Sequence, residues 1–298
     1  MPTRIFRSPD GVLPNPLALG YVLAGYPAGL WLLTASAWWM NSAGVVLTTH
    51  VLIAAAYFVH EFAHQSIFRN PETNNRWGTL MTWITGSCYA TFGALRRKHM
   101  RHHLDRADVL TLDYKATLRR WPAWLQKLAL LLKWAYVAVV ELLMHGFVMA
   151  MPFRREPRRD ERARVVAIVA VRAAAFGALG WYSPKALVLY AVSYMIMRHV
   201  LRFTDTYQHT YDAIALEGCK IADGKVRDRA YEQANTYSNL VSPGHPWLNL
   251  LLLNFPYHNA HHERITRVTA DDYGEVGAGA NKADGFLGAV GVSFLTAV

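Results

Sequence analysis

Eight of the chain's thirteen histidines lie in three short clusters. The first is His60-Glu61-Phe62-Ala63-His64. The second is His99-Met100-Arg101-His102-His103, and the third is His258-Asn259-Ala260-His261-His262. On a helix, residues three and four apart share one face. Each cluster is therefore expected to aim its imidazoles in one direction. A fourth element, Asp205-Thr206-Tyr207-Gln208-His209, sets a carboxylate and an imidazole four residues apart. Adding His209 to the clusters gives nine nitrogen ligands. That is too many for one tetrahedral zinc and enough for two metals with four or five ligands each. Imidazole accepts zinc, copper, iron and nickel alike. An oxidative role requires a metal that changes valence. A site beside lipid, with no cysteine cluster and no built-in cofactor motif, suits non-haem iron and dioxygen.

The elements that must carry these clusters are apolar and long. The 298 residues are 53% apolar and only 17% charged, with a net charge of +10 and a mean hydropathy of +0.09. This composition excludes a disordered chain, a coiled coil and a collagen-like fibre. Two cysteines, Cys88 and Cys219, make no disulfide framework. Residues 17–40 and 45–59 form a predicted transmembrane hairpin, broken at Asn41-Ser42-Ala43-Gly44. A cleaved signal peptide fits less well, because the first block is too long for an h-region and a second follows at once. Residues 165–181 and 186–201 form a second hairpin, broken at Tyr182-Ser183-Pro184-Lys185. Arg172, inside the third block, is expected to snorkel or to face the protein interior. Two further stretches, 78–95 and 121–153, are interrupted by polar or charged residues and are read as non-crossing or interfacial, the alternative being that both cross, which preserves parity.

Basic residues then set the orientation. Arg4 and Arg7 precede the first span, Arg96, Arg97, Lys98 and Arg101 follow the second, and six arginines from Arg154 to Arg164 precede the third. The positive-inside rule places these loops and both termini in the cytoplasm. All four histidine elements then fall on that same side. The expected architecture is an all-α polytopic membrane protein, with four transmembrane helices in two hairpins, interfacial helices and a cytoplasmic histidine-rich di-metal cap. The whole chain, 1–298, reads as one domain with a divergent Gly/Ala-rich tail at 264–298.

With these motifs in this order, the chain resembles the membrane-bound fatty acid desaturase and hydroxylase superfamily. The segments Phe255-Pro256-Tyr257 and Asp205 to Tyr211 resemble its bacterial branch. The resemblance covers roughly residues 17–263. It implies two irons held by His60, His64, His99, His102, His103, His209, His258, His261 and His262. Asp205 matches a position that gives a polar or water-mediated contact. It also implies dioxygen as co-substrate, a fatty acyl substrate (acyl-CoA, acyl-ACP or phospholipid-bound) and desaturation as the reaction. The two-residue spacing inside the second box leans toward a double bond. Hydroxylation, terminal alkene or alkyne formation and carotenoid oxidation share the same boxes. The tail departs from bacterial relatives, which tend to have a Pro- and Trp-containing segment after the third box.

Other readings compete for some of these residues. His60-Glu61-Phe62-Ala63-His64 also matches the H-E-x-x-H zinc protease pattern, with Glu61 as general base. That reading leaves two clusters unexplained. For oxidative chemistry Glu61 is expected to be dispensable, with Glu61→Ala retaining substantial activity. A non-catalytic metal-binding or transport protein is a third class. His50, His145, His199 and His245 are expected to be ordinary structural or solvated residues. The aromatic run 31–39 reads as a membrane-interface belt or packing. No dinucleotide fingerprint or fused haem motif is present, so electrons are expected from a separate ferredoxin or cytochrome b5 type protein. Arg96, Arg97, Lys98 and Arg101 could receive such a donor or an acyl carrier's phosphate, or act only as topology signals. The positive charge is accounted for by membrane topology rather than nucleic acid.

Overall fold

The computed structural model describes residues 5–215 and 226–263. Helix α1 (Pro14–Thr34) starts on proline, whose fixed φ and missing N–H suit a first turn. It returns through Ala35, Ser36 and Ala37 into α2 (Trp38–Ala63). The turn predicted at residues 41–44 therefore lies earlier. Asn41 is the reason: its Nδ2 donates to the carbonyls of Leu32, Leu33 and Ala35 at 3.0, 3.2 and 2.9 Å. It caps α1 from the first turn of α2 instead of breaking α2. The buried face of α1 runs Leu19, Val22, Gly25, Gly29 and Leu33, at helical spacing. A Cβ on Gly29 would sit 2.4 Å from Thr48 Oγ1, so small residues set the distance between the two helices.

Helix α2 ends at His64, and Gln65 takes a left-handed φ of 55°. Buried Asn74 clamps the loop that follows, donating to the Phe68 carbonyl at 2.7 Å and accepting from its N–H at 3.1 Å. Helix α3 (Pro71–Thr85) and helix α4 (Phe92–Asp105) have 15 and 14 residues. Each is short of the roughly 20 residues a crossing needs. They split the stretch 78–95 at Gly86, which has φ +77° and ends α3. Thr91 caps α4 through the N–H of Ala94.

Strand β1 (Asp108–Leu110) and helix α5 (Tyr114–Arg119) lead to α6 (Ala123–Trp134) and α7 (Val139–Arg154). The last two meet at 119°, the bend of a broken span or a re-entrant pair. Helix α6 buries no residue and exposes Trp124, Leu128, Leu131 and Trp134, as an interfacial helix does. The second hairpin is α8 (Arg162–Tyr182) and α9 (Pro184–Thr206), turning at Ser183. The Lys185 ammonium donates to the Ala35 carbonyl, so the turns of the two hairpins lie side by side. Arg172 faces the protein: its Nη1 donates to the Trp83 carbonyl at 2.9 Å, and its guanidinium lies 5.1 Å from the Phe176 ring centre.

Helices α1, α2, α8 and α9 are long and apolar enough to cross a membrane. The fold is an all-α polytopic membrane protein. One small addition lies outside the helical expectation. Strand β2 (Ala213–Ala215) pairs in parallel with β1, Asp108 opposite Ala213 and Leu110 opposite Ala215. Helix α10 (Arg229–Ala234), a 3-10 turn (Pro246–Leu252) and α11 (His258–Glu263) complete the described chain. The core centres on α2, where Phe58 and Phe62 stack with ring centres 5.8 Å apart, and Phe68 from the following loop stacks on Phe62 at 6.1 Å. The tail 264–298, read from sequence as divergent, lies outside the described residues.

Candidate metal centre

His60 and His64 occupy the last turn and cap of α2, on one face, with ring centres 4.7 Å apart. Helix α4 presents His99, His102 and His103, and α11 presents His258, His261 and His262. His209 follows α9, held by a bridge to Thr236. All nine predicted histidines come together, but not box by box. One group is His60, His64, His99, His103 and His261, another is His102, His209, His258 and His262, and a smaller set of His103, Glu232 and His262 overlaps both. Within each group the candidate ligand nitrogens all lie within 4.8 Å of one another. Helical geometry makes the division. His99 and His103 are one turn apart and face the first group, while His102, offset around the helix, faces the second.

Several nitrogens point directly at each other. His64 Nε2 and His99 Nε2 are 2.6 Å apart, and His99 Nε2 and His103 Nε2 are 3.1 Å apart. In the second group, His209 Nε2 lies 3.0 Å from His102 Nε2 and 2.7 Å from His258 Nε2. Buried ring nitrogens of His60, His64, His103, His258, His261 and His262 have no hydrogen-bond partner. Buried polar atoms are almost always partnered. Lone pairs converging at two points, together with the orphaned Nε2 atoms of His60, His261 and His262, are what two imidazole-bound cations require. The residues therefore fit a pair of metals.

Fixed acceptors on the other ring nitrogen aim three of the imidazoles. His60 Nδ1 donates to Glu61 Oε1 at 3.1 Å, His102 Nδ1 to the Ala107 carbonyl at 2.9 Å, and His262 Nδ1 to Glu232 Oε1 at 3.0 Å. Each bond puts the proton on Nδ1 and leaves Nε2 for the group. Glu61 is thus a partner of His60, and its Oε2 accepts from Ser66 Oγ at 2.7 Å. These two contacts place the Glu61 carboxylate against the ring of His60. Burial and neighbouring imidazoles push the histidine pKa values down, to about 4 at His102, about 3 at His261 and about 2 at His209. His64, His99, His103, His258 and His262 are lowered as well, burial being the leading cause in each. These rings are neutral at pH 7, the form that binds metals.

Asp205 is in neither group. Helix α9 ends at Thr206, so Asp205 and His209 do not share a helical face despite their spacing. Asp205 instead lies within electrostatic reach of Lys98 and Asp108. Asp108, whose Oδ1 is 3.7 Å from His102 Nδ1, is raised to about 7 by burial and by Asp205. Two of the four cations beside the second box have internal work: Arg96 Nε donates to the Ala63 carbonyl at 2.9 Å, and Arg101 pairs with Asp105 at 2.7 Å.

The remaining histidines are held by other contacts. His50 bonds Tyr21 Oη at 2.6 Å and the Leu251 carbonyl at 2.9 Å. His199 meets the Tyr136 carbonyl, His245 the Ser242 hydroxyl, and His145 packs edge-on against Tyr89. Sequence reasoning missed Glu232. It lies in Arg-Ala-Tyr-Glu-Gln-Ala, a segment with no motif, and only folding brings it to the third box.

Comparison with known families matches the chain to the model described as "Fatty acid desaturase" over residues 36–266. A search of curated proteins gives no match.

Proposed function

The chain belongs to the fatty acid desaturase family, and from that premise we propose that it is an O2-dependent, di-iron acyl-lipid desaturase. The family and the histidine groups make it a membrane oxidoreductase acting on fatty acids. The observation that carries the finer reading is the partition of nine imidazoles into groups of five and four, with no cysteine in either. His60, His64, His99, His103 and His261 would hold one iron, and His102, His209, His258 and His262 the other. Bound there and reduced by a separate ferredoxin or cytochrome b5 type protein, two irons would supply the dioxygen chemistry needed to take hydrogen from an unactivated methylene.

The protein's own residues do the rest. Glu61, the Ala107 carbonyl and Glu232 hold protons on Nδ1 and fix ring directions. Phe255, stacked on Tyr57 at 4.4 Å and 4.8 Å from the His60 ring, covers the first group with apolar surface. Asp205, with Lys98 and Asp108, forms a charged margin beside the second group, a position suited to water-mediated contact. The substrate is an acyl chain reached from the bilayer, carried as acyl-CoA, acyl-ACP or phospholipid. The clustering of basic loops near the histidines supports a cytoplasmic site.

A zinc protease fits poorly. Both oxygens of Glu61 are occupied, by His60 and Ser66, and imidazoles from the other two boxes crowd the same point. The deciding experiment is metal content of the full-length, detergent-solubilised protein, followed by analysis of lipids from cells expressing it. About two irons per chain and new double bonds are expected. One zinc without iron, after exchange is excluded, would overturn the reading. New hydroxyls in place of double bonds would move the reaction to hydroxylation.

A further inference from the structure

We propose that Glu232 is the positioning residue of the second histidine group, fixing His262 while itself being fixed by Arg106. This rests on the two-metal reading above. Glu232 is buried, 5% exposed, on α10. Its Oε1 accepts from His262 Nδ1 at 3.0 Å, and its Oε2 accepts from Arg106 Nε at 2.9 Å. Both oxygens are therefore engaged by protein donors. The opposite nitrogen of His262, Nε2, is buried without a hydrogen-bond partner and belongs to the second group. A carboxylate that takes the proton of one ring nitrogen determines which nitrogen is left for a metal.

Arg106 makes the arrangement more than a local pair. It ends α4 in the left-handed conformation, φ 46°, just after His102 and His103. Its Nη1 also donates to the Arg227 carbonyl, immediately before Asp228, whose side chain caps α10 through the N–H of Tyr231. Helix α10 is thus moored to the end of the second-box helix and presents Glu232 to the third box. The register between the two boxes passes through one ion pair, its carboxylate buried and its guanidinium partly exposed. Leaving the buried carboxylate unpaired is costly, which keeps the pair together.

The test uses Co2+ as a spectroscopic probe, titrated anaerobically into the metal-free, full-length protein in detergent and followed by visible absorption and calorimetry. Wild type is expected to bind two Co2+. Glu232→Gln is expected to weaken one of the two sites about 10–100-fold and leave the other unchanged. Glu232→Asp should recover much of the loss. Arg106→Met, which keeps the carboxylate, should weaken the same site and provides the reading if Glu232→Gln does not fold. Wild-type affinity at both sites in Glu232→Gln, or in Arg106→Met, would overturn the assignment. A shifted absorption band in Glu232→Gln, showing Glu232 to be a ligand, would also overturn it. A wild-type chain that binds one Co2+ would instead overturn the two-metal reading beneath it.

Discussion

His64 on α2 and His99 on α4 bring their Nε2 atoms to 2.6 Å of each other. The two residues are 35 positions apart and belong to different boxes. Two neutral lone pairs at that distance repel unless a proton or cation lies between them. Substituting either residue by alanine should lower metal content and reduce desaturation to background. The same is expected for His102→Ala and His261→Ala, from the other group and the other box. Retained activity in variants of two different boxes, measured as new double bonds, would sink the di-metal reading.

The lowered histidine pKa values give a pH dependence with a definite sign. Above the ordinary imidazole value of 6.5 both folded and unfolded chains keep these rings neutral. Below it the unfolded chain takes up protons that the folded chain refuses, down to about 4 at His102 and about 3 at His261. Stability of the metal-free protein should therefore fall as pH falls below 6.5 and be insensitive to these groups above it. Thermal unfolding in detergent across this range checks it. A metal-free protein whose Tm is flat from neutral to acid pH would contradict the burial of these rings.

Glu61 separates positioning from proton transfer. Glu61→Ala removes the acceptor of His60 Nδ1 and should weaken metal binding about 10–100-fold. Glu61→Gln retains an acceptor and should keep most of the activity. Equal and complete loss in both, with normal metal content, would restore Glu61 as a general base.

Close packing of the first hairpin predicts a contrast between glycines. Gly29→Ala forces a Cβ to within 2.4 Å of Thr48 Oγ1 and should cost about 1–3 kcal/mol. Gly20→Ala meets nothing within 4 Å and should be neutral or slightly stabilising. Thermal melts of the two variants, side by side, decide it.

Much of the centre is legible in the sequence because it rests on local periodicity. The three boxes and His209 come together, although the second and third boxes each divide between the two groups instead of aiming one way. Their sorting into five and four is not legible, because it depends on how α4 and α11 are rotated against α2. Spacing misleads at Asp205, where α9 ends before His209. It misleads again at Asn41, a polar residue that reads as a break and acts as a cap. Glu232 and Arg106 are 126 residues apart, and a contact of that range leaves no mark on either segment. The β1–β2 ladder, three residues a side, is similarly too short and too distant to be read.

The third box enters both groups, His261 one and His258 and His262 the other. It is also the last of the histidine elements along the chain. During synthesis, then, neither group can be completed until both hairpins have been made and the final box has emerged. An unfinished chain carries at most a partial set of imidazoles at each point. The complete imidazole sets are thereby withheld from the nascent protein and acquired only once the membrane scaffold that must contain them is already in place.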